Sequence, residues 1–316
     1  MRKVQMFWGC LCLPFLFACH QNEFVGGESA DDSALRIQAS ITKSALARTN
    51  TEQSGVVTFE ESDKIGFYMP ESSLSVQWTY TDGEWIASEN LFWPDKVSDW
   101  TFQAYYPFTE AVSRTNITMP DLSLQDGTLK NIGKYDFLTS SVVTNYASGS
   151  GVVAFTGKHS FKHAYCLLMV TLKEEQNSGA TRLKEVSLSG EDIATLHRYK
   201  FDEGAGSMEK IPETPSVNKL TFAPDIVIPS EGHPTVVLIN PSDLETPLSF
   251  MAKYERADKS FEAGTVNLGS RFESGKFYKI SVKIRKEGLV IEDNSVEDWV
   301  IDESLGEVIV DETPAE

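Results

Sequence analysis

The chain has 316 residues, 46 acidic against 28 basic, for a formal net charge of −18. That balance argues against nucleic acid or an anionic membrane surface as partner, because phosphate binding depends on clustered Lys and Arg. Three of the four cysteines, Cys10, Cys12 and Cys19, lie near the start, and only Cys166 remains, inside the apolar run Tyr165 to Val170. A chain whose remaining cysteine stands alone in an apolar run has no disulfide framework, so its stability must come from packing.

Arg2 and Lys3 open a run of mostly apolar residues from Val4 to Ala18, which stops at Cys19 and turns polar through His20, Gln21, Asn22 and Glu23. The run is shorter than the roughly 20 apolar residues of a membrane-spanning helix and reads as a secretory signal over residues 1–18. Its end, Leu16-Phe17-Ala18-Cys19, resembles the lipobox of bacterial lipoproteins. That resemblance implies that Cys19 is acylated, becomes the mature N-terminus and holds the chain to the outer membrane. With Arg2 and Lys3 gone, 26 basic residues face 46 acidic ones, a charge of −20.

Residues 19–34 carry Gly26, Gly27, serines and acids without periodicity, as expected of a flexible tether. Asp32-Ser33-Ala34 resembles a short acceptor motif for O-linked glycans on exported Gram-negative proteins, which makes Ser33 a candidate glycosylation site. Next, Leu35, Ile37, Ala39 and Ile41 alternate with Arg36, Gln38, Ser40 and Thr42, the period of a half-buried strand. A polar exit, Ala45-Leu46-Ala47-Arg48-Thr49-Asn50, follows.

From there on, short alternating runs are punctuated by Gly, Pro, Asp and Asn. Val76-Gln77-Trp78-Thr79-Tyr80 and Glu84-Trp85-Ile86 flank Asp82-Gly83, the strongest hairpin signal in the chain. Strands are also predicted over Val56 to Phe59, Ile65 to Tyr68, Trp100 to Tyr106, Val152 to Phe155 and Phe161 to Leu172. The series continues with Leu183 to Leu188, Val236 to Ile239, Leu248 to Tyr254 and Phe277 to Ile284. Long helical periodicity is missing, so the expected class is all-β, with antiparallel sandwiches. Length favours two domains, 35–155 and 156–316, the second ending in an acidic tail, with a boundary near residues 140–158 that includes the Ser-, Gly- and Asn-rich stretch from Ser140 to Gly151; one large sandwich with an insertion is the alternative.

Aromatic residues concentrate between Phe67 and Phe108. They are read mainly as the core of the first domain, with a glycan-stacking surface as the alternative. In the strand Trp100 to Tyr106, Trp100, Phe102 and Ala104 give one apolar face and Thr101, Gln103 and Tyr105 a mixed one. No metal, cofactor or catalytic motif is found. His159 and His163 would align only on a helix, and a structural histidine with a satisfied ring is the favoured reading there. The chain is not expected to be an enzyme.

Five stretches together resemble the fimbrillin-like family of type V pilus subunits. They are Asp63-Lys64-Ile65-Gly66-Phe67-Tyr68, Trp100-Thr101-Phe102-Gln103-Ala104-Tyr105-Tyr106-Pro107-Phe108, Tyr135-Asp136-Phe137-Leu138, Phe161-Lys162-His163-Ala164, and Phe272-Glu273-Ser274-Gly275-Lys276-Phe277-Tyr278 leading to Val296-Glu297-Asp298-Trp299. The resemblance implies two tandem transthyretin-like β-sandwich domains and export as a surface lipoprotein. It further implies cleavage by an arginine-specific protease after the first strand, and assembly with copies of itself or other fimbrial subunits by β-strand addition. Arg48 sits where that cut is expected. Arg36 is the second choice, since cutting there leaves most of the strand in place. The segment Leu305-Gly306-Glu307-Val308-Ile309-Val310 is either a final edge strand or a donor for the next subunit. Host or bacterial surface glycans or proteins are the expected adhesion partners. A lipid-retaining anchor subunit and a non-polymerising glycan-binding lipoprotein are the alternative roles.

Overall fold

The computed structural model describes residues 33–41, 59–110, 112–175, 181–201, 206–256, 259–262, 265–285 and 288–298. In chain order, the strands of the first part are β1 (Arg36–Ala39), β2 (Lys64–Tyr68), β3 (Val76–Thr81), β4 (Glu84–Ala87) and β5 (Trp100–Tyr106). β6 (Ile117–Thr118), β7 (Leu138–Thr144), β8 (Val152–Phe155) and β9 (Lys162–His163) follow. Six of them form one antiparallel sheet in the order β4-β3-β2-β5-β7-β9, and β1 pairs with β8 in a separate layer. The Asp82-Gly83 signal makes the β3–β4 hairpin. Both residues have positive φ, 52° and 85°, as a primed turn matched to strand twist requires.

Between the six-stranded sheet and the β1–β8 layer lies an aromatic core. Ile65, Phe67, Trp78, Trp85, Phe102 and Leu138 meet Leu35, Ile37, Val153, Phe155 and Phe161 there, all buried. The mixed face predicted for β5 is instead buried as well. Gln103 and Tyr105 are both inside, and Tyr105 packs with Tyr68 and Phe137 against the rest of the chain. A central strand covered on both faces loses its alternating signature. Gly66 lies opposite Tyr105 because a Cβ there would fall about 2 Å from the tyrosine ring.

The second part contributes β10 (Cys166–Glu174), β11 (Thr181–Ser189), β12 (His197–Lys200), β13 (Ser207–Lys210), β14 (Lys219–Phe222) and β15 (Ile226–Val227). β16 (His233–Ile239), β17 (Ser242–Arg256), β18 (Lys259–Glu262), β19 (Val266–Phe272), β20 (Lys276–Arg285) and β21 (Gly288–Asp298) complete it. One sheet runs β16-β10-β20-β21. The other runs β14-β11-β17-β18, with β15 on β11 and β19 on β17. Leu168, Val170 and Val282 from the first and Val186, Leu188 and Phe250 from the second share one apolar cluster. β6 pairs with β12, so residues 117–118 and 198–199 stitch the two parts together.

The all-β, largely antiparallel expectation holds, with two exceptions: β1–β8 and β10–β20 are parallel. Each joins strands more than 100 residues apart, so no local crossover helix is needed. The Ser140–Gly151 stretch carries the second half of β7 and a four-residue helix, α1 (Tyr146–Gly149), capped by the Asn145 side chain. Phe161 and β9 pack and pair within the first sheet system. His163 is buried, its Nδ1 2.9 Å from the buried Asp136 carboxylate.

Candidate functional site: the first-strand groove

β1 is four residues long, yet its alternation buries every apolar side chain of the segment except Ala39. Leu35, Ile37 and Ile41 are 5–6% exposed, while Arg36 and Gln38 face solvent. The apolar side chains lie on an aromatic floor. Phe67 is stacked with Phe102, and Trp93 meets Phe102 edge-on at 5.1 Å. Phe59 bridges Trp85 and Phe161 with T-shaped contacts at 4.9 and 5.4 Å. Such pairs add about 0.5–1.5 kcal/mol each beyond the area they bury.

The backbone of β1 is tied along one edge and at its two ends. In register, Arg36 faces Val152 and Ala39 faces Phe155. The Arg36 N–H donates to the Gly151 carbonyl at 3.3 Å and the Ser40 N–H to the Phe155 carbonyl at 3.0 Å. At the far end the Phe161 N–H returns a bond to the Ser40 carbonyl, and the Ser40 and Ser160 hydroxyls lie 2.8 Å apart. At the near end the Leu35 N–H donates to the Leu91 carbonyl and the Trp93 N–H to the Ser33 carbonyl. Gly151, with φ of 79°, turns the chain out of α1 so that its carbonyl accepts from both the Arg36 backbone and the Trp93 indole.

The other edge of β1 has no ladder partner among the described residues. It faces β4, the outermost strand of the six-stranded sheet, across two cavities. One of about 400 Å³ lies between Ile37–Ala39 and Tyr80, Glu84 and Trp85. The second, about 550 Å³, is lined by Leu35, Trp78, Ile86 and Phe92. Ile86 and Phe92 are about half exposed on its rim. β1 is therefore a plug held by burial and by one sheet edge. Its three buried aliphatic side chains contribute roughly 5–9 kcal/mol as an upper bound, at about 1.5–3 each.

Arg36 lies within this plug, its backbone paired and its guanidinium donating to the Ser150 carbonyl at 3.0 Å. Ser33 begins the described segment and is partly exposed, one residue before the Ala34–Phe92 bridge. Cys19 and Arg48 lie outside the described residues, as does the Leu305–Val310 segment. The aromatic cluster is mostly core, with Trp78 2% and Trp93 5% exposed, whereas Trp100 is only half-buried at the edge of the cluster. Gly151 and Ser160, which grip the strand from the other side, carry no motif that marks them from the sequence, and Phe161 opens one of the family-like stretches without that stretch revealing its contact with β1. They act through position 110 or more residues from β1.

No group of three or more potential metal ligands occurs among the described residues. None of their helices is long and apolar enough to cross a membrane.

Comparison with known proteins places this architecture. No curated protein matches the sequence. Among solved structures, a candidate cell adhesion protein from Bacteroides uniformis is 20% identical, with a TM-score of 0.58 over 85% of this chain and 99% of its own. One from Bacteroides ovatus is 16% identical, with a TM-score of 0.61 over 85% and 98%. At these identities the likeness establishes the fold. The fimbrillin-like family model matches residues 47–299, beginning after β1. The chain, matched over most of its length, belongs to the fimbrillin-like family.

Proposed function

We propose that this protein is a structural subunit of a cell-surface fimbria, exported as an outer-membrane lipoprotein on Cys19. It is processed after Arg48 and assembled with other subunits by β-strand addition. The observation that carries the reading is the separable character of β1: three buried aliphatic side chains, ladder pairing along one edge only, and an open cleft on the other. Domains are stable by only about 5–15 kcal/mol, so loss of this strand leaves the first sheet system near unfolding until another strand fills the groove. An unfilled groove with exposed edges drives association. Arg48, beyond the strand, is the better processing site than Arg36, whose backbone is engaged in the sheet. Two tandem transthyretin-like sandwiches, residues 35–155 and 156–316, are the domain organisation that goes with this reading, with β9 completing the first sheet.

The deciding experiment is the N-terminal sequence of the protein recovered from the cell surface, together with Arg48→Ala. An N-terminus at Thr49 in wild type and a lipidated monomer in the variant are expected. A wild-type surface form that begins at Cys19 and never polymerises overturns the assembly reading and leaves the anchor role.

A further inference from the structure

A second groove, on the opposite side of the six-stranded sheet from the β1 cleft, runs between β7–β9 and the β12–β13 hairpin. It consists of two cavities of about 400 and 430 Å³ that meet at Thr139, Tyr199 and Gly206. Each is within the roughly 300–1,000 Å³ of small-molecule sites. Gly206 makes the junction possible, since a Cβ there would lie 2.2 Å from the Tyr199 hydroxyl.

The chemistry of the lining runs against that of the chain. In a protein with 46 acids, no carboxylate lines either cavity among the described residues. Lys158 and Lys162 line one, both exposed, and neither has an ion pair among the described residues. The neighbouring carboxylates are already engaged: Asp136 by His163, Glu209 by Arg198 and Glu273 by Arg271. His159 and His197 also line the groove, and each has its Nδ1 on a backbone carbonyl, of Ser141 at 3.0 Å and of Thr195 at 2.7 Å. A carbonyl only accepts, so Nδ1 carries the proton and Nε2 is left to accept from a ligand hydroxyl. Ser141 lines one cavity and Ser274 the other.

We propose that this groove binds an acidic saccharide, one that carries carboxylate or sulfate on a hydroxylated ring. Lys158 and Lys162 take the oxyanion, while the imidazoles and serine hydroxyls take the ring hydroxyls. The two lysines favour an anion and the imidazoles and serines favour hydroxyls, so a ligand that carries both suits this lining. A bare anion would leave the imidazole acceptors idle, and a neutral sugar would leave two ammonium groups unanswered. Binding here is separate from polymerisation through the β1 groove, so a monomer is the right material for the test and either reading can fail without the other.

The probes are trigalacturonate, its fully methyl-esterified form as the neutral match, and a sulfated chondroitin disaccharide, titrated calorimetrically into the mature chain. Saturable binding of at least one acidic probe, none of the ester, and a loss of about tenfold or more in Lys158→Gln/Lys162→Gln are expected, since two charge-assisted bonds are removed. Lys219→Gln, an exposed lysine on β14 away from the groove, should bind as wild type. The proposal is overturned if neither acidic probe binds, if the ester binds equally, or if Lys219→Gln weakens binding as much as the double variant. Asp202 and Glu203 join the β12 and β13 edges and lie outside the described residues. Binding seen only in Asp202→Asn/Glu203→Gln would mean that the chain's own acids fill the groove, and it too overturns the proposal.

Discussion

β1 buries three aliphatic side chains and pairs through four residues along one edge, whereas β21 pairs with β20 at ten positions and buries none of its own side chains. What holds β21 is mainly backbone and charge, with Leu289 and Ile291 packed half-buried against the core. Lys279 meets Glu297 at 2.7 Å, and Lys276 with Asp298 and Lys283 with Glu292 make two further cross-strand pairs. The difference bears on exchange. Burial is non-directional and rewards any strand that offers the same apolar alternation, while a ladder with matched charges specifies its register. In the proposed assembly, β1 is the strand that another replaces, and β21 the one that stays with its neighbour.

The comparison is broken most severely by removing β1. Excision of residues 33–41 should cost roughly 5–9 kcal/mol, comparable to the stability of a whole domain. Calorimetry should then show the first sheet system losing its cooperative transition while the β10–β20 sheet still melts. A peptide of the sequence Ser33 to Thr42 should restore the transition, and the same peptide with Ile37→Asp should not. Equal melting with and without the strand would show that burial at Leu35, Ile37 and Ile41 contributes little.

The floor of the groove comes next. Phe102→Ala, at a side chain with no exposure and with the Phe67 and Trp93 rings against it, should destabilise by about 3–5 kcal/mol. Trp100→Ala, two residues away at the half-buried end of the same strand, should cost distinctly less by chemical denaturation. Reversal of that order would mean that the aromatic rim, not the floor, supports the fold. Ile37→Ala should cost about 2–5 kcal/mol and, unlike Phe102→Ala, should be bypassed once the strand is supplied in trans.

How far the sequence announced all this depends on how local the cause is. The β3–β4 hairpin is legible because a primed turn needs two adjacent positive φ angles, which Asp82-Gly83 supplies. The plug strand is legible because only one of its faces is buried. β5 is legible as a strand but not in its facing, since Tyr105 and Gln103 are covered by a second layer that the sequence around them does not reveal. β21 escapes prediction because its short apolar start, Leu289 to Ile291, runs into the acids and asparagine from Glu292 to Asn294, so no hydrophobic period extends along it. The parallel β1–β8 register and the cationic groove are long-range facts. Lys158 and Tyr199 line one cavity only through the fold.

On the β21 side the effects are small and screened. Lys279→Ala removes one exposed pair and should cost about 0.2–1 kcal/mol, less at high salt, with no change at β1. Amide exchange along β21 should accelerate in molar salt while that of Ile37 and Gln38 stays unchanged. Salt sensitivity at β1 would remove the contrast between the two strands.

The smallest effect is a titration, and its sign follows from the Glu292 carboxyl. The hydrogen bond from Lys283 holds it below the usual carboxylate range in the folded chain. A group depressed on folding stabilises the folded state above its unfolded pKa of about 4.3, and that contribution fades as pH falls through the folded value. β21 should therefore exchange its amides faster on acidification below about pH 4, with Lys283→Gln abolishing the pH dependence at its Glu292 end. β1 carries no carboxylate between Leu35 and Ile41, so its own protection should stay level across the same window until the surrounding sheet gives way. If β1 loosens in step with β21, the two strands belong to one cooperative unit, and the first cannot be exchanged without disturbing the last.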